Sequence, residues 1–298
     1  MAQVETGARD ATATVAVRRV GRRLRWNALL AEFGAILFVT ISGVVMLAPL
    51  VWMVVSGFKE QYEIMHIPPV WLPQMWKVEN YTHVLTRSPI GTGYLNSLII
   101  VPIITAIQVA TSMVGGYAFA KLRFPGRDVL FMGVLSTMML PGFLIQIPLF
   151  VVVVGLGWLN TYQAMVVPFL FTPFGIFLMR QFMLGVPTEY IDSARIDGCG
   201  EISLIWRVVA PLTREAMAAL AIFVFIHHWN ELFWPLLVLR QRHMFTLPLA
   251  LFTLQGDYGN YYHHVLAGAT LAIIPVVLVY LFFQEHIIRG VTLTGLKG

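Results

Sequence analysis

Charge is scarce in this chain: of its 298 residues, 12% are Asp, Glu, Lys or Arg and 58% are apolar. Soluble domains carry about 25% charged residues, so this composition argues against a soluble globular protein and for a membrane protein. Cysteine is nearly absent too. Because Cys199 is the single cysteine, the chain cannot form an intrachain disulfide. We therefore expect apolar helices packed in a bilayer.

Motifs for nucleotide, metal and covalent chemistry are also missing. No Gly-x-x-x-x-Gly-Lys-Ser/Thr sequence occurs, so the chain lacks the loop that cradles ATP phosphates in P-loop ATPases. The histidine pairs His227-His228 and His263-His264 are adjacent in sequence, which points their side chains to different helix faces. The net charge of +5 comes from short basic clusters between apolar runs. We predict no catalytic site, no metal site and no nucleic-acid partner.

Long runs without charge are what the chain has instead. A membrane helix needs about 20 apolar residues. The charge-free run 129–179 is too long for one helix, and Gly155 to Asn160 divides it into two spans joined by a tight hairpin. The predicted fold is an all-α polytopic membrane protein with six spans, which lie within 33–58, 88–120, the two halves of 129–179, 216–239 and 260–284.

The distribution of Lys and Arg predicts the orientation. With the N-terminus inside, the inner segments hold fifteen basic residues and the outer segments hold five, as the positive-inside rule requires. No small-residue cleavage site follows a short apolar region, so the first helix is expected to be uncleaved. We predict a basic cytoplasmic tail (1–30), a membrane domain (31–288) and a cytoplasmic C-terminal tail (289–298), with both termini in the cytoplasm.

The connection between the fourth and fifth spans, residues 185–212, lies in the cytoplasm in this topology and is called the inner loop below. Pro187 and Thr188 favour a helix start, and Gly198 tolerates the left-handed conformation that ends a helix. A second short helix is expected from about residue 200 to Pro211. The pattern predicts two short helices joined at a glycine. An ordinary helical connection is the alternative interpretation.

The inner loop resembles the signature cytoplasmic loop of the membrane subunits of bacterial ABC importers. That signature has Glu-Ala-Ala, a Gly four residues further on and an Ile/Leu-x-Leu-Pro type of ending. The matching positions are Asp192, Ser193, Ala194, Gly198 and Pro211-Leu212. The change from Glu-Ala-Ala to Asp-Ser-Ala keeps the acid and the small side chains, so the resemblance holds.

Other segments extend this resemblance over nearly the whole chain. Together they are similar to the second permease subunit of the carbohydrate-uptake, or maltose-type, branch of the family. The matching segments are Phe58-Lys59, Pro68 to Pro73, Glu79 to Tyr81, Tyr117 to Arg127, Trp229 to Leu237 and Ile287 to Gly298.

The resemblance implies a function and a set of partners. The chain would form half of a translocation pathway in the bacterial cytoplasmic membrane, together with a homologous permease subunit. Two ATPase subunits would bind ATP and Mg, so this chain would hold no cofactor itself. An extracytoplasmic solute-binding protein would deliver a sugar. Disaccharides, maltooligosaccharides, other oligosaccharides and glycerol-phosphate are all open as the solute.

The resemblance also assigns the inner loop to contact with the ATPase. Small residues in the loop allow another surface to approach closely, and Tyr190, Ile191, Leu204 and Trp206 are expected to supply apolar anchors. The residues predicted to couple this chain to the ATPase are Tyr190, Ile191, Asp192, Ser193, Ala194, Asp197, Gly198, Leu204, Trp206 and Pro211.

Polar side chains within the spans mark a candidate pathway, because such groups are costly in lipid and usually face protein or water. Glu231 follows His227 by four residues, which predicts a shared helical face. The alternative is that these groups bond to helices of the partner permease. The residues predicted to line the translocation path are Gln146, His227, Asn230, Glu231 and Trp234.

An ion-gradient-driven secondary transporter is the alternative class of function. Acids and histidines within the membrane would be its signature, but Glu231 is the only acid well within a span. An inverted repeat with broken helices, which is typical of many such transporters, is not evident in the sequence. The long outer loop, about 59–90, shows no enzyme-like constellation and is expected to form a short cap on the outer membrane face.

Overall fold

The computed structural model describes residues 4–257 and 261–295, and the surroundings of the side chains in 29–254 and 261–284. Throughout this described part the regular elements are helices and no strand occurs, which confirms the predicted all-α class. The chain divides into two units, one ending at Val55 and the other beginning at Ser56.

The described residues of the first unit form a single long helix, α1, which runs from Val4 to Ser56. Its part from Leu29 to Ser56 is long and apolar enough to cross a membrane, in agreement with the predicted first span. The helix begins well before that span, so the backbone of the basic segment continues the same helix towards the N-terminus.

The second unit contains the remaining helices, with short 3₁₀ turns at Val167–Phe169 and Arg242–Met244 and a π-helical turn at Ile205–Val209. In chain order these helices are α2 Gln61–Met65, α3 Glu79–Arg87, α4 Ile90–Lys121, α5 Arg127–Thr137, α6 Gly142–Gly155, α7 Tyr162–Val166, α8 Pro173–Leu184, α9 Thr188–Ile196, α10 Glu201–Leu204, α11 Ala210–Leu212, α12 Arg214–Trp229, α13 Phe233–Val238, α14 Leu247–Asp257 and α15 Tyr262–Gly295.

The number of spans depends on how two bent helix pairs are counted. In the described part of the chain, four segments are long and apolar enough to cross a membrane: Leu29–Ser56, Ile90–Lys121, Tyr162–Leu184 and Tyr262–Gln284. The pair α5–α6 is bent by 96°, and the segment Glu201–Leu212 meets α12 at 89°. Up to six spans result if each bent pair is counted as one span, and α12 is then the part of the second pair that falls in the predicted fifth span (216–239).

The bend between α5 and α6 lies inside the predicted third span and was not predicted. It lies between Met138 and Pro141, where the first helix ends and Gly142 opens the next. Proline has no amide hydrogen to donate, and it disfavours the helical conformation in the residue before it. The break after Gly155 is confirmed, because Gly157 and Asn160 there have positive φ angles of 68° and 60°.

Two hydrophobic cores hold the second unit together. The first joins α4 to the region from α13 to α15, and Trp229 and Trp234 are its largest fully buried side chains. The second core joins α4, α8 and α12 to the inner loop. Its buried members are Met113, Tyr117, Met179, Met183, Ile191, Leu204, Ile205, Val209, Ala210, Ala216, Leu220 and Val224.

Small residues allow α4 and α8 to approach closely. A Cβ placed on Gly116 would lie 2.6 Å from the Cβ of Met179, and one on Gly175 would clash with Ser112. Membrane helices lack a hydrophobic driving force for association and use such small-residue contacts instead. The two helices therefore form a closely packed pair whose end is covered by the inner loop.

The outer loop is braced from within by buried polar groups. Lys59 Nζ donates to Val70 O at 2.7 Å, and the Glu63 carboxylate accepts from the backbone amide of Gln74 at 2.7 Å. Asn80 Nδ2 donates to the carbonyl oxygen of Gly57 at 3.0 Å. These bonds hold a short cap with two small helices, α2 and α3, as the sequence led us to expect.

Candidate functional site

The inner loop has the predicted two-armed geometry. Its first arm is α9, from Thr188 to Ile196, and the chain reverses at Gly198, whose φ is +81°. The amide of Gly198 donates to Arg195 O at 3.0 Å. L-residues with a side chain rarely adopt this left-handed conformation. The prediction that glycine ends the first arm is confirmed.

The second arm has about the predicted bounds but is more irregular than predicted. It comprises α10, the π-helical turn and α11, and it ends at Leu212 just before α12 begins at Arg214. The arm is bent by 89° from α12. If α12 crosses the membrane, an arm at a right angle to it lies along the membrane face, where another protein can reach it.

The predicted coupling residues differ in exposure. Ile191 and Leu204 are 1% and 0% exposed and belong to the second core. The prediction that they anchor another protein is wrong, because both arms turn these side chains towards α4 and α8. Ala194 is half-buried. The exposed predicted residues are Tyr190, Asp192, Ser193, Asp197, Gly198, Trp206 and Pro211.

Trp206 is exposed, but it faces a different direction from the tip of the loop. It lines an apolar groove whose walls come from α4, α12 and α15, with Val109, Ala221 and Phe225 among the contacting residues. This groove is almost entirely apolar and begins along α4 at Pro102. Trp206 therefore lies on the side of the loop that continues into the membrane helices.

A polar network ties both arms of the inner loop to α4. Tyr117 Oη donates to Glu201 Oε2 at 2.6 Å, and Arg195 Nε donates to Glu201 Oε1 at 2.9 Å. Arg195 Nη2 also donates to Tyr117 Oη at 3.2 Å. Hydrogen bonds from Arg195 and Tyr117 hold the pKa of the Glu201 carboxyl below its usual value. The carboxylate is thus charged at neutral pH and bonded to two partners.

The site residues predicted from the sequence did not include Tyr117, Arg195 or Glu201. A signal existed, because an Arg and a Glu flank the loop glycine and Tyr117 begins one of the family-like segments. Their convergence, however, depends on how α4 packs against the loop, which no local pattern reveals.

A basic cavity of about 480 Å³ lies beside the first arm. Lys121, Arg123, Arg127 and Arg195 line it, together with Asp192. The Nζ of Lys121 donates to Val186 O at 2.6 Å and so links the end of α4 to the residues before α9. The lining of this cavity is therefore predominantly basic.

Only some of the predicted pathway residues are accessible. His227 and Asn230 are exposed, and Gln146 is half-buried. Among the described residues, Gln146 Oε1 has no hydrogen-bond partner. Trp234 is fully buried, and its Nε1 donates to Ala164 O at 2.9 Å. The prediction that Trp234 lines a path is therefore wrong, because its side chain is packed inside the first core.

Glu231 has a local structural contact that the sequence did not reveal. Because α12 ends at Trp229, Glu231 lies in a non-helical link, and the predicted shared helical face with His227 is wrong. One carboxylate oxygen, Oε1, accepts from the backbone amide of Trp234 at 3.0 Å and so caps the start of α13. The side chain is half-buried.

Histidines form contacts at two further places. His228 Nε2 lies 3.2 Å from Gln108 Nε2, and the rings of His83 and His264 stack with centroids 4.4 Å apart. In the part of the chain that the structure describes, no group of three His, Cys, Asp or Glu side chains is arranged to hold a metal ion.

These features define a polytopic helical membrane protein with a two-armed loop at one end of its helices. Residues 112–293, which include that loop, match the family model described as the binding-protein-dependent transport system inner membrane component. The chain belongs to this family. The resemblance noted in the sequence is thereby confirmed, and the protein is a multi-pass membrane permease of the ABC importer type.

Individual relatives agree with this assignment. The chain is 37% identical over 253 residues to the arabinooligosaccharides transport system permease protein AraQ of Halalkalibacterium halodurans. This match covers 84% of this chain and 91% of that protein. It is 30% identical to the diacetylchitobiose uptake system permease protein NgcG of Streptomyces coelicolor, with 84% of this chain and 83% of that protein covered.

A solved structure shares the fold. A chain in the crystal structure of a bacterial ABC transporter involved in the import of the acidic polysaccharide alginate superposes on this protein with a TM-score of 0.75. The superposition covers 88% of this chain and 97% of that chain at 24% sequence identity. The helix arrangement described above is therefore an ABC permease fold.

Proposed function

We propose that this chain is one permease subunit of an ATP-driven importer for oligosaccharides. The observation that carries the proposal is the exposed, glycine-hinged inner loop, which lies within the segment that matches the family. The relatives described above are named for arabinooligosaccharides and diacetylchitobiose. Both names describe short sugar chains, so we infer an oligosaccharide as the solute class.

The proposed complex contains this chain, a homologous permease, two ATPase subunits and an extracytoplasmic solute-binding protein. ATP and Mg belong to the ATPase subunits, and this chain has no catalytic role. Both of its termini and the inner loop lie in the cytoplasm, which is where ATP is available. The basic cavity beside the first arm supports this placement, because basic segments are retained on the cytoplasmic side.

The proposed mechanism is alternating access driven by the ATPase. ATP binding closes the ATPase dimer, and the inner loop moves with the surface that it contacts. The membrane helices then switch from an inward-open to an outward-open arrangement, and the binding protein releases its sugar into the cavity. Tyr190, Asp192, Ser193, Asp197 and Gly198 form the exposed surface that we assign to the ATPase.

We also infer a polar lining for the sugar pathway. The candidates are Gln146, His227, Asn230 and Glu231, because each has an accessible or unsatisfied polar group within or next to an apolar segment. Sugar hydroxyls both donate and accept hydrogen bonds, so amide, imidazole and carboxylate groups suit them. Trp234 has a supporting role behind this surface, since it is buried.

The energy source tests the proposed function. The complete complex, purified with its partners and reconstituted in liposomes, should take up radiolabelled arabinooligosaccharide only when ATP is supplied together with the binding protein. Uptake should be unchanged when ionophores collapse the proton and sodium gradients. Uptake that persists without ATP and disappears with the ionophores would instead establish the secondary transporter.

The orientation of the chain gives a separate prediction. In a Cys199→Ser background, an impermeant thiol reagent added to intact cells should label the Met75→Cys variant and leave the Pro125→Cys variant unlabelled. Met75 lies in the exposed outer cap and Pro125 follows α4. After the membrane is permeabilised, both variants should react. The reverse labelling pattern would overturn the cytoplasmic placement of the termini.

A further inference from the structure

The inner loop is attached to the membrane helices in two different ways. Apolar packing attaches it through Ile191 and Leu204, which lie in the second core. Apolar contacts are not directional, so by themselves they do not specify the angle between the loop and the helices. Hydrogen bonds with charged groups, in contrast, fix both distance and angle. The polar contacts therefore fix the position of the loop relative to the helices, so that the helices move when the loop moves.

The network of Tyr117, Arg195 and Glu201 is the polar attachment that reaches both arms. Arg195 is in the last turn of α9 and Glu201 is the first residue of α10, so their ion pair of 2.9 Å spans the turn at Gly198. Tyr117 bonds to both of these side chains. A second polar link from α4, made by Lys121, reaches Val186, ahead of the first arm.

The position of Tyr117 suits a mechanical link. Its side chain is 1% exposed and lies in the last two turns of α4, where Gly116 brings that helix against Met179 of α8. A displacement applied to either arm is therefore delivered to a rigid pair of packed helices. The tip at Gly198 provides no such link, because a Cβ placed there would meet nothing within 4 Å.

We propose that Tyr117, Arg195 and Glu201 are positioning residues that lock the two arms of the inner loop together and transmit their movement to α4. This inference rests on the proposed function, since it assumes that an ATPase moves the loop. It concerns the permease side of the coupling path, whereas the exposed residues of the loop contact the ATPase.

The Tyr117→Phe variant tests this link because it removes the hydroxyl and keeps the buried ring. In the reconstituted complex, we expect sugar uptake to fall about tenfold, the order of effect expected from losing hydrogen bonds to charged groups. The ATPase should still bind the permeases and hydrolyse ATP at its basal rate. The number of ATP molecules hydrolysed per sugar imported should therefore rise.

Two further variants complete the test. Tyr94→Phe makes the same chemical change in α4, where the ring of Tyr94 packs edge-on against Trp229, and should leave the ATP-to-sugar ratio unchanged. Glu201→Gln keeps an acceptor for Tyr117 but loses the charge that Arg195 pairs with. Its ATP-to-sugar ratio should therefore lie between those of the wild type and Tyr117→Phe. That gradation would not arise from general loosening of the fold.

The outcomes separate the link from the proposed function. If Tyr117→Phe shows wild-type uptake and ratio, or loses assembled complex in proportion to uptake, the transmission role is wrong while ATP-driven import stands. If the wild-type complex itself imports sugar without ATP, the proposed function is wrong, and so is the transmission role that depends on it. A raised ratio at normal complex yield supports both.

Discussion

Gly198→Leu should reduce ATP-driven uptake by at least about tenfold while the chain still inserts in the membrane. Leucine in the left-handed conformation at φ +81° costs roughly 1–2 kcal/mol, so the angle between the two arms is expected to change. A Cβ at this position meets no atom within 4 Å. It projects instead from the surface that we assign to the ATPase. Uptake, stimulated ATP hydrolysis and the yield of complete complex are the quantities to measure.

Gly126 offers a matched control for this prediction. It too has a positive φ, +79°, and open surroundings, but it lies in the turn before α5. Gly126→Leu imposes the same backbone strain and should reduce uptake far less. Gly198→Asn should be milder than Gly198→Leu, because asparagine tolerates the left-handed conformation. Wild-type transport by Gly198→Leu would remove residue 198 from the coupling interface.

The path of the inner loop was predictable because its signals are local. Pro187 fixes the approach to α9, and Gly198 supplies the left-handed residue that ends it. Such start and stop signals act within a few residues and need no tertiary contact. The hairpin after Gly155 was predictable for the same reason, since its glycines and Asn160 are turn-forming residues.

The shapes of the spans were less predictable. A run of residues without charge indicates how long a membrane segment is, but not where the segment bends. The run 129–179 indicated membrane helices but not the 96° bend between α5 and α6. Pro141-Gly142 was a readable signal for it, since proline interrupts helical hydrogen bonding. Likewise, the early end of α12 at Trp229 falls inside the predicted fifth span (216–239), where Asn230-Glu231 interrupts the apolar residues before α13 begins.

Which side chains are buried was the least predictable feature of the site. Ile191 and Trp206 are both apolar residues of the inner loop, yet the first is in the core and the second lines an exposed groove. Tyr117 and Glu201 bond to each other across 84 positions of sequence. These properties depend on how α4, α8 and α12 pack together, which a single sequence does not display.

Trp234→Ala should have the largest effect on stability of any single change considered for this chain. The side chain is 0% exposed, packs edge-on against Phe169 and donates its indole N–H to Ala164 O. Truncating a buried Trp typically costs about 3–5 kcal/mol, and here it also leaves a buried carbonyl without its partner. Thermal unfolding of the purified complex should begin at a clearly lower temperature, and uptake should fall in proportion to the amount of complex.

Phe233→Ala is the control for this change, because Phe233 is the neighbouring residue of α13 and is 44% exposed. It should leave the unfolding temperature close to that of the wild type. A Trp234→Ala complex that is stable and abundant but inactive would show that the indole acts in the pathway after all, contrary to its burial.

Glu231→Gln should separate the two possible roles of the neighbouring acid. The amide oxygen of glutamine can still accept from the Trp234 amide and cap α13, so the amount and stability of the complex should match the wild type. The negative charge is lost, however, and with it the stronger hydrogen bonds that a carboxylate accepts from sugar hydroxyls. We therefore expect a lower uptake rate at limiting sugar, about tenfold if one such bond is weakened. Unchanged uptake would leave Glu231 with its capping role alone and remove it from the pathway.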